Sequence, residues 1–164
     1  LEQLAQELGV DPSRLAAGGG SAGGHVAACT ALAAEGVDEP GEDLSAPCRP
    51  DALVLFNPVL DTVSLPLAAE RLGQRARDIS PMHHVAPGAP PAIVFHGRAD
   101  QVVPFAQAER FAEAMRQAGC RCEAMGFEGE GHGFFNLGRG DGSCYRRTLE
   151  ATERFLESLG FLPR

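Results

Sequence analysis

The chain has no lysine, no tryptophan and a single tyrosine, Tyr145. Its 14 cationic side chains, all arginine, face 22 acidic ones, for a formal charge of -8. That balance excludes a nucleic-acid partner, because binding a phosphate backbone needs clustered cations that release counterions. No run approaches the roughly 20 apolar residues of a membrane helix, so no membrane span is expected. There is also no internal repeat, low-complexity block or long linker, which excludes solenoids and tandem domains. Cysteine is sparse and odd in number. Cys29, Cys48, Cys120, Cys122 and Cys144 cannot all pair internally, and Cys120-Arg121-Cys122 is too tight for a relaxed disulfide or a zinc knuckle. Reduced structural thiols are expected. His83 and His84 are adjacent and would point to opposite faces of a strand, and neither has an i, i+4 partner. Neither a metal nor another cofactor is expected.

What is present is an ordinary globular balance, 44% hydrophobic and 22% charged over 164 residues. A chain of this size buries roughly 70% of its unfolded surface, enough for a core without staples. One domain spanning residues 1–164 is expected. The first residues, with Leu1, Leu4, Ala5 and Leu8 on one face, read as the middle of an amphipathic helix, and no Met precedes them. The expectation is a chain truncated at its N-terminus. No signal peptide is visible, but a missing start would hide one, so the compartment stays open, with the cytoplasm favoured.

Helical and extended patterns alternate along the chain. After the first helix, ending near Gly9, Arg14 to Ala17 reads as a short strand, and Gly18-Gly19-Gly20 leads into an alanine-rich helix from Ser21 to Ala34. An acidic loop follows from Gly36 to Pro50. The apolar runs Ala52 to Phe56 and Ala92 to Phe95 are short enough to be buried strands, the second ended by His96-Gly97. Between them residues 61–90 look irregular, with one short helix around Leu67 to Leu72. Pro104 suits the first turn of a helix whose apolar face is Ala108, Phe111, Ala112 and Met115, with Gly119 as its left-handed cap. Cys122 to Phe127 is a fourth strand. The last helix carries Tyr145, Leu149, Thr152, Phe155, Leu156 and Leu159 at helical spacing and ends at Gly160. Strands separated by helices imply parallel pairing with right-handed crossovers, hence an α/β three-layer sandwich on a mostly parallel sheet.

In such a sheet every loop that follows a strand emerges at the same edge, where residues distant in sequence converge. Three of these loops carry reactive side chains. Gly19-Gly20-Ser21-Ala22-Gly23 matches G-x-S-x-G, a strand-to-helix turn that projects a serine hydroxyl above the sheet and offers the next backbone N–H, that of Ala22, as an oxyanion donor. Glycines two residues either side of Ser21 are expected because side chains there would clash with the turn. The second loop gives Asp100, four positions past His96, and the third gives His132 between Gly131 and Gly133. Serine, aspartate, histidine is one of the chain orders in which the nucleophile, orienting acid and base of a catalytic triad occur.

The motifs GGGSAGGH around Ser21, HGRADQVVP around Asp100 and GEGHGFFN around His132 resemble those of α/β-hydrolase esterases, in the acetyl-esterase and hormone-sensitive-lipase-like group. The resemblance extends along essentially the whole chain, through the strand ALVLFNP and the turn ISPMHHV. It implies a partial α/β-hydrolase fold and a serine hydrolase that cleaves small-molecule carboxylic esters, short acyl groups being the group's common choice. Ser21 would be the nucleophile, His132 the general base and acid, and Asp100 the residue orienting His132. Activity would then fall on acidification, as the base takes up a proton. Asn57 and Val102 are expected to bind substrate, and Arg98 and Phe134 to lie nearby, with Phe134 and Phe135 also fitting a core. Asp61 is an alternative orienting acid. His25 and His96 read as packing or structural residues.

The start departs from the group. No oxyanion loop of HGGG type precedes Ser21, so a poor catalyst or a folded but inactive fragment is a further expectation. Missing earlier strands would leave Arg14 to Ala17 as an exposed sheet edge that pairs with a second copy of the chain or a separately supplied N-terminal portion. A serine peptidase of prolyl-oligopeptidase type fits the same triad. So does, less well, nucleotide binding, since Gly18 to Gly23 also satisfies G-x-G-x-x-G while no acidic residue ends the next strand.

Overall fold

The computed structural model describes residues 7–11, 14–33, 41 and 49–163. Four strands, β1 (Ala16–Gly20), β2 (Ala52–Phe56), β3 (Ala92–Gly97) and β4 (Cys122–Phe127), form one sheet in that order, every neighbouring pair parallel. Helix α1 (Ala22–Leu32) links β1 towards β2. Helix α2 (Pro66–Leu72) and two 3-10 turns, Gly73–Ala76 and Pro81–His84, lie between β2 and β3. Helix α3 (Ala106–Gln117) joins β3 to β4, and α4 (Ser143–Ser158) follows β4.

The central strands explain why their sequences read as unbroken apolar runs. Leu53 and Leu55 of β2 and Ala92 and Val94 of β3 face Ala27, Ala28 and Ala31 of α1 and Ala108, Phe111 and Met115 of α3. The alternate residues Ala52, Val54, Ile93 and Phe95 face Phe127, Phe134 and α4 through Ala151 and Phe155. Strand side chains alternate between faces, so a sheet covered on both sides is apolar at every position. Burying each large side chain stabilises the fold by roughly 1.5 to 3 kcal/mol. This is the expected three-layer arrangement, with α1 and α3 on one face and α4 on the other.

Several boundaries differ from the sequence reading. The first strand is not Arg14 to Ala17 but runs through the three glycines, which pair with β2 from Gly18 opposite Val54 to Gly20 opposite Phe56. A Cβ on Gly18 would lie 2.8 Å from the Val54 carbonyl oxygen. Ser21 precedes α1 rather than opening it, and β3 continues through His96 and Gly97. Residues 61–90 hold more regular structure than their prolines suggest, because Pro66 and Pro81 each open a helical turn, where a missing N–H costs nothing. His83 and His84 lie in the second 3-10 turn, not on a strand. His83 Nδ1 is 2.8 Å from Ser80 Oγ, and His84 Nε2 is 3.0 Å from the Arg77 carbonyl oxygen.

On α4 the buried stripe is Thr148, Ala151 and Phe155, while Leu149, expected inside, is 45% exposed. The helix turns its Thr148 inward because that hydroxyl is satisfied locally, by the Tyr145 carbonyl at 2.9 Å. Gly119 and Gly160 cap α3 and α4 as expected, with positive φ. In each case the next residue's N–H returns to the helix, Cys120 to Met115 and Phe161 to Leu156.

The expected first helix falls mostly outside the described residues, of which residues 7 and 8 are helical, and so do Ala34, Cys48 and most of the acidic loop. Cys29, Cys120, Cys122 and Cys144 are free thiols. Burial pushes Cys29 up to about 11 and Cys122 up to about 12, which keeps both protonated. Among the described residues no helix is long and apolar enough to cross a membrane.

Candidate active site

Ser21 stands where β1 passes into α1. Its N–H continues the sheet ladder to the Phe56 carbonyl at 2.9 Å, and its φ of 53° with ψ of -118° turns the chain sharply into the helix. A non-glycine residue rarely adopts that conformation, and such strain concentrates at functional turns. Space for the turn is made by small residues. A Cβ on Gly19 would lie 2.6 Å from the backbone carbon of Gly23, and one on Gly24 would lie 2.8 Å from the Gly19 carbonyl oxygen and 3.0 Å from Pro58. Gly23 itself, expected to be sterically required, has open space at its Cβ position. The requirement falls on Gly19 and Gly24. Nor do the glycines form a phosphate cradle, since Gly18 and Gly19 back onto protein backbone and Gly20 onto the Phe135 ring.

Asp100 and His132 reach Ser21 from the ends of β3 and β4. Gly97, last residue of β3, lets the loop after β4 lie directly on it, because a Cβ there would collide with the Glu130 carbonyl and come within 2.9 Å of that of Gly131. The Ala99 N–H fixes that loop by donating to the Glu130 carbonyl at 2.9 Å. The result is a connected series. His132 Nδ1 is 2.7 Å from Asp100 Oδ2, and His132 Nε2 is 2.9 Å from Ser21 Oγ. A carboxylate only accepts, so Nδ1 carries the proton and Nε2 is left to receive the serine hydroxyl.

Asp100 is buried and yet suited to remain ionised. Burial alone would raise its pKa, but the Val103 N–H, the His132 ring and the Val102 N–H outweigh it and hold the carboxyl below the ordinary range. The Val102 and Val103 N–H groups donate to Oδ1 at 2.8 and 3.0 Å. Asp61 is not in this series. Its carboxylate takes the N–H groups of Val63 and Ser64 and pairs with Arg110 at 3.2 Å.

Asn57 is also placed differently from expectation. It is fully buried, with φ of 35°, its Oδ1 accepts the Gly133 N–H at 2.9 Å and its Nδ2 lies 3.5 Å from His132 Nε2, so it braces the histidine loop from beneath. Val102 is 59% exposed beside the serine. Arg98 points elsewhere, paired with Glu128 at 2.8 Å and stacked 4.4 Å over the Phe105 ring. Phe134 belongs to the core under α4. His25 packs against the β2 side, its Nδ1 2.9 Å from the Val59 carbonyl.

A groove of about 440 Å³ opens from Ser21 and Ala22, floored by His25, Val59 and Ile79 and walled by Leu65, Leu67, Ala68, Leu72 and Val102, with Arg71 at its margin. The sequence reading missed α2 as a pocket wall. The available signal was Leu65, Leu67 and Leu72 in a segment with no strand to bury them.

Comparisons with known proteins bear on the family. The profile of the prolyl oligopeptidase family matches residues 65–157, more than half of the chain, and that of the alpha/beta hydrolase fold matches residues 1–78. The Probable carboxylic ester hydrolase LipM of Mycobacterium tuberculosis is 36% identical over 68% of this chain and 30% of its own length. Esterase LipC of the same organism is 31% identical over 93% of this chain and 42% of its own. Among solved structures, esterase 2 of Thermogutta terrifontis in its apo form superposes with a TM-score of 0.91 at 49% identity, covering 99% of this chain and 62% of that one. The same protein phosphoramylated by tabun gives 0.91 at 50% identity, covering 99% and 61%. The chain thus spans under half the length of those two curated relatives and about three fifths of the solved esterase. On the parallel sheet, the strand-to-helix serine and these matches, the chain belongs to the α/β-hydrolase family, alongside esterases.

Proposed function

We propose that the chain carries the catalytic residues of a serine hydrolase acting on small carboxylic esters with short acyl groups. The observation that carries this reading is the series Ser21 Oγ, His132 Nε2, His132 Nδ1, Asp100 Oδ2, joined at 2.9 and 2.7 Å. His132 takes the Ser21 proton as the oxygen attacks the ester carbonyl, then protonates the departing alcohol. Water repeats the sequence on the acyl-enzyme, returning serine and free acid. Asp100 holds the imidazole in the tautomer that leaves Nε2 free. Ala22 is the first residue of α1, where backbone N–H groups have no intrahelical acceptor, and its N–H would be the donor to the developing oxyanion. Structures of the Thermogutta esterase bound to propionate and to butyrate, or phosphorylated by paraoxon, support the acyl size and the covalent route.

The test is labelling by a fluorophosphonate and turnover of p-nitrophenyl acetate. Ser21→Ala abolishes both, and Asp100→Asn or His132→Ala slows turnover by on the order of 10³ to 10⁴. Labelling that survives in Ser21→Ala rejects the nucleophile assignment. The match to the prolyl oligopeptidase family favours one second reading, a peptidase, which hydrolysis of short peptide anilides faster than of esters would establish. The half-exposed edge of β1 is proposed to pair with a second copy of the chain. A monomer by light scattering at micromolar concentration removes that part.

A further inference from the structure

A second histidine lies under the relay without belonging to it. His96, next to last in β3, is fully buried, with Nε2 2.9 Å from the Val103 carbonyl oxygen and 3.3 Å from Asp100 Oδ2. Both are acceptors, so the ring proton is on Nε2. The opposite nitrogen, Nδ1, is then an acceptor buried with no hydrogen-bond partner among the described residues. An orphaned buried acceptor is destabilising, and a nonpolar side chain of similar size would avoid it. The ring keeps its place against that cost, packed edge-on to Phe105 at 5.8 Å.

What the ring supplies is a closed circuit. The Val103 N–H donates to Asp100 Oδ1, the Val103 carbonyl accepts from His96 Nε2, and the same Nε2–H leans on Asp100 Oδ2. The carboxylate is thereby held at both oxygens, and its remaining direction is the one His132 Nδ1 uses at 2.7 Å. Asp100 and His132 are the charged or titratable groups facing His96, and burial keeps the His96 ring below the ordinary histidine range, hence neutral.

We propose that His96 is a positioning residue, whose Nε2–H, shared between the Val103 carbonyl and Asp100 Oδ2, fixes the rotation of the Asp100 carboxylate towards His132. The proposal rests on the reading of Ser21, His132 and Asp100 as the triad. Two variants and one spectrum test it. His96→Met keeps the volume and loses the donor, and His96→Gln keeps an N–H near the place of Nε2. With p-nitrophenyl acetate, His96→Met lowers kcat about tenfold or more with KM within about twofold, and His96→Gln recovers most of it. The downfield proton resonance of His132 Nδ1–H shifts or broadens in His96→Met and persists in His96→Gln.

Unchanged kcat and resonance in His96→Met, or equal loss in both variants, overturns the proposal. Should His96→Met not fold, the ring nitrogen spectrum of the unsubstituted protein decides: a neutral His96 protonated on Nε2 supports it and one protonated on Nδ1 overturns it. Failure of the triad reading registers separately, as labelling that survives Ser21→Ala, while the resonance reports the Asp100–His132 contact whatever the nucleophile.

Discussion

The side chain of Asn57 holds the backbone N–H of Gly133 at 2.9 Å across 76 residues of sequence, tying the end of β2 to the loop that carries His132. Asn57 is buried at a φ of 35°, a conformation asparagine tolerates better than most residues. Asn57→Ala removes the acceptor, leaves the Gly133 N–H unpaired and places alanine at positive φ. Unfolding free energy is expected to fall by about 1 to 3 kcal/mol, and the rate of fluorophosphonate labelling by at least about tenfold. Denaturant unfolding and labelling kinetics check the two effects. A labelling rate equal to that of the unsubstituted chain would show that the histidine loop does not depend on this brace.

Residue type carried most of the site into view, and register carried less. Ser21 was legible from its G-x-S-x-G turn, and Asp100 and His132 because each trails a short strand run, parallel connections bringing such loops to one edge. Strands β2 and β4 were legible to the residue because apolar runs of that length have few other uses. The triglycine was not legible as a strand. Glycine has low strand propensity, and only the close approach of Val54 on one side and α1 on the other makes it fit there. The role of Asn57 was hidden for a similar reason: its neighbour in space is 76 residues away, and nothing local distinguishes a brace from a ligand contact. The α2 wall was obscured by four prolines in residues 61–90, which mark turns in general but here also open helical ones.

The two glycines flanking Ser21 should behave oppositely. Gly19→Ala puts a methyl group 2.6 Å from the backbone of Gly23, where neither chain segment can give way without moving α1 off β1. It is expected to destabilise the protein by several kcal/mol or prevent folding. Gly23→Ala meets nothing within 4 Å and lies inside α1, so it should be neutral or stabilising by about 0.4 to 1 kcal/mol. Melting temperatures of the two variants decide the matter, and equal losses would mean that the turn is held by something other than contact between these backbones.

The groove beside Ser21 should set the length of acyl chain that fits. Ala68 is the small residue in its α2 wall, between Leu67, Arg71 and Leu72, and Ala68→Phe fills part of the roughly 440 Å³ without replacing a triad residue. Turnover of p-nitrophenyl acetate is expected to stay within about twofold, while that of longer acyl esters falls about tenfold or more, the discrimination that one or two buried methylenes provide. A series from acetate to octanoate measures it. A uniform loss along the series would place the acyl chain elsewhere.

Acid should weaken the fold in two windows, and the sign follows from the groups involved. Burial holds the His96 ring below the ordinary histidine range, so the native state resists a proton that the unfolded chain accepts, and stability begins to fall as pH drops below about 6.5. Asp100 and Asp61 are also held below their ordinary range. In each, burial is opposed by stronger partners: Val103, His132 and Val102 for Asp100, and Ser64, His83 and Arg110 for Asp61. Their contribution is present above the unfolded carboxylate value of about 3.9 and is lost as pH falls through the lower native values. Melting temperature followed from pH 8 to pH 3 should therefore decline first gently and then steeply. His96→Gln should remove the upper decline and Asp61→Asn should flatten the lower one, each compared with its own value at pH 8. An unchanged upper limb in His96→Gln would mean that another group, not this ring, resists protonation in the native state.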